Sequence, residues 1–267
     1  MPIDIPSNSY NMKNKSFSQK LQHAYLELEG ENYNTVHYQQ NLNRYLKMTE
    51  AVLPLSKSNK ILDMGVGFCY LTKFFKLQGH EIFAIDFFYG DIPKIRCERN
   101  DIPFFPLNIE VDNLPFEKEF FDVIILGEVI EHFTYSPLIP LRKIHKALKK
   151  DGLLILTTPN IFRIIELLKI LSGYNFFYNR ISPYQKKPIW YKGKKFYYRH
   201  NQLYSMKGLK QIIIQAGFGI VSSGFINEGI SLKENPINIF LKFIFSPFAL
   251  LIPQLQDVIW ITAKKKI

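Results

Sequence analysis

The stretch ILDMGVGFCYLTKFF, Ile61 to Phe75, constrains this chain more than any other. Lys60 to Met64 make the apolar run of a buried strand, and Gly65-Val66-Gly67 permits a tight turn. Leu71, Phe74 and Phe75 then fall on one face of a helix. A strand, a glycine turn and a helix in that order is how α/β proteins hold a nucleotide at the carboxyl end of a strand. The residues narrow the choice of nucleotide. A dinucleotide fingerprint starting at Gly65 needs a glycine at position 70, where this chain has Tyr70, and no Gly-Lys-Ser/Thr follows to form a phosphate loop. Asp63, two residues before Gly65, puts a carboxylate at the strand end, where it repels a pyrophosphate and attracts an ammonium group.

The pattern on either side repeats this alternation. A helical stretch covers Tyr38 to Leu53, and strands read over Lys60–Met64, Glu81–Asp86, Phe104–Leu107, Phe121–Gly127 and Leu153–Thr158. Helices read over Cys69–Gln78 and Leu138–Lys149, the latter with Leu141, Ile144 and Leu148 inward and lysines outward. After Pro159 the rhythm breaks for a long insertion, Ile161 to His200, helical at first and then aromatic and basic. It resumes with a helix at Met206–Ala216, closed by Gly217, and strands at Phe218–Phe225 and Asp257–Ala263. Such alternation implies an α/β fold, a parallel sheet with helices on both faces.

Asp63-Met64-Gly65-Val66-Gly67 resembles motif I of the class I S-adenosylmethionine-dependent methyltransferases, and the likeness extends along residues ~35–267. Glu81–Asp86 resembles the family's second strand, and NIEVDNLPFEKEFFDVIILGEVIEHF, Asn108 to Phe133, the run from the adenine-contacting position to the catalytic loop. TTPN, Thr157 to Asn160, and HNQLYSMKGLKQIIIQAGF, His200 to Phe218, match later segments of many small-molecule members, the ubiquinone-biosynthesis-like O-methyltransferases among them. The resemblance implies a Rossmann-like doubly wound, mostly parallel seven-stranded sheet, its last strand antiparallel, with helices on both faces and an inserted lid. It implies S-adenosyl-L-methionine as cofactor, held by Asp63, Gly65, Gly67, Asp86, Phe87, Asn108, Ile109 and Gly127, with Asp86 on the ribose hydroxyls. Two residues depart from the family pattern. Cys69 stands where motif I has its third glycine, and Asn108 replaces an acidic residue, with its carbonyl oxygen expected on the adenine amino group.

His132, with Glu128 and His200, is the expected catalytic set: methyl transfer from a sulfonium is an in-line displacement, and an imidazole near the acceptor can take a hydroxyl proton. The E-x-x-E-H string of Glu128, Glu131 and His132 also resembles that of the ubiquinone-biosynthesis O-methyltransferases and the small-RNA 3′-terminal 2′-O-methyltransferases, in which, together with a histidine such as His200, it holds a divalent metal. Metal-free relatives carry the same string, and the expectation here is catalysis without metal.

Composition bears mainly on the partner. The net charge is +11, and from Arg180 to Arg199 there are seven Lys or Arg residues and no acidic residue, interleaved with Tyr184, Trp190, Tyr191, Phe196, Tyr197 and Tyr198. That cluster suits an anionic partner: a small, sugar or lipid-linked acceptor bearing phosphate, an anionic membrane surface, or, less well, nucleic acid. Two cysteines, Cys69 and Cys97, make no disulfide framework and fit a reducing compartment. Ile237 to Pro253 is the most apolar stretch, yet Lys242, Pro247 and Pro253 interrupt it and it is shorter than the ~20 residues of a spanning helix. The expected organisation is a loose arm at 1–20 and one methyltransferase domain at 21–267, with a lid insertion at about 161–200 and an apolar insertion at about 236–255. Its expected place is the cytoplasm, peripheral at the inner face of a membrane if the apolar insertion touches lipid. The sequence leaves two further readings open: an RNA 2′-O-methyltransferase, and a cofactor-binding protein without catalysis.

Overall fold

The structure is a computed structural model that describes residues 18–28, 35–52, 58–87, 90–171, 173, 187–228 and 251–266. Two helices open the described chain, α1 over residues 18–28 and α2 at Thr35–Val52. They are followed by β1 (Lys60–Met64), α3 (Tyr70–Leu77), β2 (Glu81–Asp86), α4 (Asp91–Glu98), β3 (Phe104–Pro106) and β4 (Phe121–Gly127). A 3₁₀ turn at Ile130–His132 leads to α5 (Leu138–Ala147), β5 (Leu148–Pro159) and α6 (Ile164–Leu171). The hairpin strands β6 (Ile189–Tyr191) and β7 (Lys194–Phe196) precede α7 (Met206–Gln215), β8 (Phe218–Ile226) and β9 (Val258–Lys265).

The large sheet has seven strands in the order β3-β2-β1-β4-β5-β9-β8. The pairs from β3 to β5 are parallel, and β9 runs antiparallel between β5 and β8. This is the Rossmann-like, mostly parallel α/β sheet expected from the alternation. Successive strand residues point to opposite faces, so each strand feeds two cores. Leu62 and Met64 of β1 with Ile124 and Leu126 of β4 meet Leu141 and Ile144 of α5 and Leu209 and Ile213 of α7 on one face. Ile61, Val123 and Ile125 meet Leu21 and Tyr25 of α1, Met48 of α2, and Phe74 and Phe75 of α3 on the other. With both faces covered, the central strands are apolar almost throughout, as parallel strands require.

Three stretches differ from the sequence reading. Residues 18–20, assigned to the arm, begin α1, whose Leu21 and Ala24 are fully buried. Helix α4 was not anticipated: DIPKIRCE has a proline in its first turn and buries only Pro93 and Cys97, so it lacks an apolar stripe. The basic insertion contains the β6–β7 hairpin. The arm at 1–17, lid residues 172 and 174–186, and residues 229–250, which hold most of the apolar insertion, lie outside the described residues. Among the described residues, no helix is long and apolar enough to cross a membrane.

Candidate functional site

A cavity of about 510 Å³ lies beyond the carboxyl ends of β1, β2 and β4, where doubly wound sheets bind ligands. The glycine turn after β1 forms its floor. Gly65 has φ 77°, and a Cβ there would stand 2.2 Å from Val129 Cγ2, so any other residue would be strained and would have to displace the Val129 side chain. The turn is tied to β2 through its own backbone: Gly65 N–H donates to Ile85 O at 2.8 Å, and Gly67 N–H to Asp86 Oδ2 at 2.9 Å. Phe87 N–H donates to the other oxygen, Asp86 Oδ1, at 2.7 Å. Asp63, buried behind the turn, accepts from Thr72 Oγ1 at 2.6 Å. Burial raises its pKa to about 6, opposed by the Thr72 hydroxyl and reinforced by Asp86. All eight residues expected around the cofactor line this one cavity.

Cys69 does not line it. Its φ of 63° is left-handed, which explains why glycine suits the position, and its thiol turns toward α4, with Sγ 3.7 Å from Cys97 Sγ and 3.7 Å from Pro93 O. Contact with the Cys97 thiol, then burial, pushes the Cys69 thiol up. Asn108, which does line the cavity, is held by its own turn. Glu110 N–H donates to its Oδ1 at 2.9 Å, while Nδ2 is buried without a partner. That oxygen closes the local turn and keeps a second lone pair for the adenine amino group.

The loop after β4 is built from three directions. Glu128 follows β4 with φ 57°, its N–H bound to Thr157 O of β5 at 3.0 Å. Thr158 Oγ1 donates to Glu131 Oε2 at 2.9 Å, and the N–H groups of Asn201 and Gln202 donate to Glu131 O at 2.7 and 3.1 Å. Asn201 Nδ2 adds a bond to His132 O at 2.9 Å. His132 Nδ1 lies 2.9 Å from the carbonyl of Arg199; since a carbonyl only accepts, Nδ1 carries the proton and Nε2 the lone pair of the neutral ring. The ring stacks on Tyr198 at 5.5 Å and meets His200 edge-on at 4.8 Å. Burial lowers the His132 pKa, partly offset by the Arg199 carbonyl and Glu128.

Glu128 and Glu131 sit in the same pocket, each raised to about 7 chiefly by burial, and each has one buried oxygen, Oε1, without a partner. Glu128 Oε2 faces Arg44 Nη1 at 3.3 Å, and that nitrogen also donates to Glu228 Oε1 at 3.0 Å. Glu131, His132 and His200 bring one ligand atom each within 4.8 Å of the others, a carboxylate and two imidazoles that could take a divalent cation. Glu128, turned to Arg44, is outside that group.

The sequence reading missed the wall opposite the glycine turn, where Asn41, Arg44, Tyr45 and Met48 of α2 line the cavity. The signal was present: polar Asn41 and Arg44 interrupt a face that otherwise buries Tyr38 and Met48. It also missed how the basic hairpin is fastened. Tyr191 Oη donates to Asp112 Oδ2 at 2.8 Å, Lys192 is ion-paired with Asp112 Oδ1, and Tyr191 packs edge-on against Phe87 at 5.0 Å.

Residues 35–223 match the model of a protein family described as "Methyltransferase domain". No curated protein matches. Among solved structures, a methyltransferase from Mesorhizobium loti has 14% identity and a TM-score of 0.54, over 82% of this chain and 97% of that one. A methyltransferase from Archaeoglobus fulgidus has 17% identity and a TM-score of 0.55, over 85% and 97%. The 1,6-didemethyltoxoflavin-N1-methyltransferase of Burkholderia thailandensis, solved with bound 1,6-didemethyltoxoflavin and S-adenosylhomocysteine, has 14% identity and a TM-score of 0.54, over 100% and 93%. At these identities the likeness is one of fold.

Proposed function

This chain belongs to the class I S-adenosylmethionine-dependent methyltransferases, and from that premise we propose that it methylates a hydroxyl oxygen of a small, sugar- or lipid-linked acceptor. The cavity suits the cofactor on its own chemistry: the Gly65 and Gly67 turn presents bare backbone to it, and Asp86 puts a carboxylate on its lining. S-adenosylmethionine, when bound, supplies an electrophilic methyl group. His132 would take the acceptor's hydroxyl proton on Nε2.

The observation that carries this reading is the 2.9 Å approach of His132 Nδ1 to Arg199 O, which commits Nδ1 as donor and leaves Nε2 as the basic nitrogen of a residue lining the cavity. The exposed side chains of Lys187, Lys194 and Lys195 support a phosphate on the acceptor, since Lys192 is already paired with Asp112. Peripheral membrane contact draws support from exposed Leu251 and Ile252, at the end of the apolar insertion. Incubating the protein with methyl-labelled S-adenosylmethionine and fractionated cell extract tests the proposal: label in an ether of a small or lipid-soluble product supports it, and label on nitrogen, carbon or RNA refutes it. A second reading, metal-assisted transfer, is favoured by the Glu131–His132–His200 cluster, and chelation separates the two.

A further inference from the structure

The segment that ends the basic insertion lies against the loop after β4. Tyr198 stacks on His132, Arg199 offers its carbonyl to His132 Nδ1, and His200 meets the ring edge-on. Asn201 follows these residues directly and reaches both sides of the contact. Its N–H donates to Glu131 O at 2.7 Å, and its side-chain Nδ2 donates to His132 O at 2.9 Å. The same Nδ2 lies 3.2 Å from Tyr197 O and 3.5 Å from Thr134 Oγ1, while Oδ1 accepts from Arg199 Nε at 2.9 Å. The orientation of the amide follows from its partners, because the His132 and Tyr197 carbonyls only accept and the Arg199 guanidinium only donates.

We propose that Asn201 is a positioning residue for His132: it binds Tyr197 and Arg199 on one side and the His132 main chain on the other, and so holds the Arg199 carbonyl on Nδ1 and keeps Nε2 as the basic nitrogen. For methyl transfer this rests on the reading of His132 above and deepens it. The Arg199 carbonyl belongs to a short turn outside any helix or strand, in which Arg199 N–H donates to Tyr197 O at 3.0 Å. No sheet or helix ladder fixes that carbonyl, so the side chain that fastens the turn sets its distance from the ring. Neutral imidazole carries its proton on either nitrogen, and the carbonyl is what selects Nδ1. A displaced carbonyl frees the proton to move to Nε2, and an Nε2 that already carries a proton has no lone pair for the acceptor's hydroxyl. A metal bound at Nε2 requires the same tautomer, so the role of Asn201 is the same with or without one.

The test is ¹⁵N NMR of the imidazoles in the full chain with a chelator present, at about pH 8, where the ring is neutral. It needs no acceptor, and His132 is assigned as the signal lost in His132→Gln. The wild type is expected as the Nδ1–H tautomer. Asn201→Ala keeps the main-chain bond to Glu131, and Asn201→Asp keeps the bond from Arg199 but sets a carboxylate against two carbonyls. Each is expected to shift the tautomer ratio about tenfold toward Nε2–H, the worth of one good hydrogen bond. Gln202→Ala removes the neighbouring side-chain bonds to Tyr135 O and Tyr204 Oη and is expected to leave the ratio unchanged. An unchanged ratio in the Asn201 variants, or an equal shift in Gln202→Ala, overturns the proposal. A wild-type ring protonated at Nε2 overturns it together with the reading of His132 as base. Methyl label on nitrogen, carbon or RNA would instead strike the proposed function and leave the tautomer result standing, so the failures are distinguishable.

Discussion

Arg44 of α2 reaches Glu128, beyond the end of β4, with Nη1 3.3 Å from Oε2, and the same nitrogen holds Glu228 Oε1 at 3.0 Å. One buried cation thus ties α2 to the loop after β4 and to the residues just beyond β8. Burial alone would lower the Arg44 pKa, but the two carboxylates beside it win and hold it up. The carboxylates lose more than they gain: burial, opposed by Arg44, leaves Glu128 and Glu228 each at about 7.

Arg44→Met is therefore expected to destabilise the protein by about 3 kcal/mol at pH 8, in the range for stripping one partner from a buried ion pair. The sign with pH follows from linkage. A carboxyl raised in the folded state stabilises folding below its ordinary 4.5 and loses that contribution as pH rises through its folded value. Removing Arg44 raises both carboxyls further, so the deficit should be large above pH 7 and shrink toward pH 4.5. Thermal melts of the two proteins across that span check it; a deficit constant with pH would mean Arg44 contributes packing alone.

His132 is expected to act as a base with a depressed pKa. Burial lowers it, so kcat/KM should rise with pH through a midpoint below 6.5 and then level off. His132→Ala should lose about 10²–10⁴ in kcat while still binding S-adenosylhomocysteine. Activity should survive chelators. If chelation abolishes turnover and added Mg²⁺ restores it, the Glu131–His132–His200 cluster is a metal site and His132 a ligand.

Cys69→Gly is expected to leave S-adenosylhomocysteine affinity unchanged, because the thiol points to Cys97 and Pro93 and away from the cavity. Glycine relieves a left-handed strain of about 1–2 kcal/mol, while the lost thiol leaves a gap against α4 and a more flexible unfolded chain. These oppose each other, so denaturant titration should find stability within about 1 kcal/mol of the wild type. A tenfold loss of affinity would show that the Cys69 side chain shapes the glycine turn.

What could be read without coordinates follows from how local each signal is. β1, β2 and β4 begin and end at the residues expected, because each is a closed apolar run bounded by polar or glycine residues. The site residues at those strand ends came with them. Arg44 did not, since a basic residue on a helix reads as solvated until the sheet brings Glu128 and Glu228 to it. The same holds for Lys192, counted among the cations offered to a partner and in fact paired with Asp112, 80 residues earlier. The orientation of the Asn108 amide is set by a bond from Glu110 N–H, a feature of turn geometry that composition and spacing do not encode.

Asp86 carries two roles, and the last prediction separates them. Its oxygens already accept from Gly67 and Phe87 N–H, yet a carboxylate has about four lone-pair sites, enough to accept the two ribose hydroxyls as well. Asp86→Ala should weaken S-adenosylhomocysteine binding by about 1.5–3 kcal/mol if charge-assisted bonds to the hydroxyls are lost. A loosened glycine turn would also weaken binding, so the single variant is ambiguous. A 2′-deoxy analogue of S-adenosylhomocysteine resolves it through a double-mutant cycle. If Asp86 holds that hydroxyl, the wild type binds the deoxy form about tenfold or more weakly, and Asp86→Ala binds both forms alike. If Asp86 acts only through the turn, the two proteins show the same preference between the forms, and the ribose assignment falls.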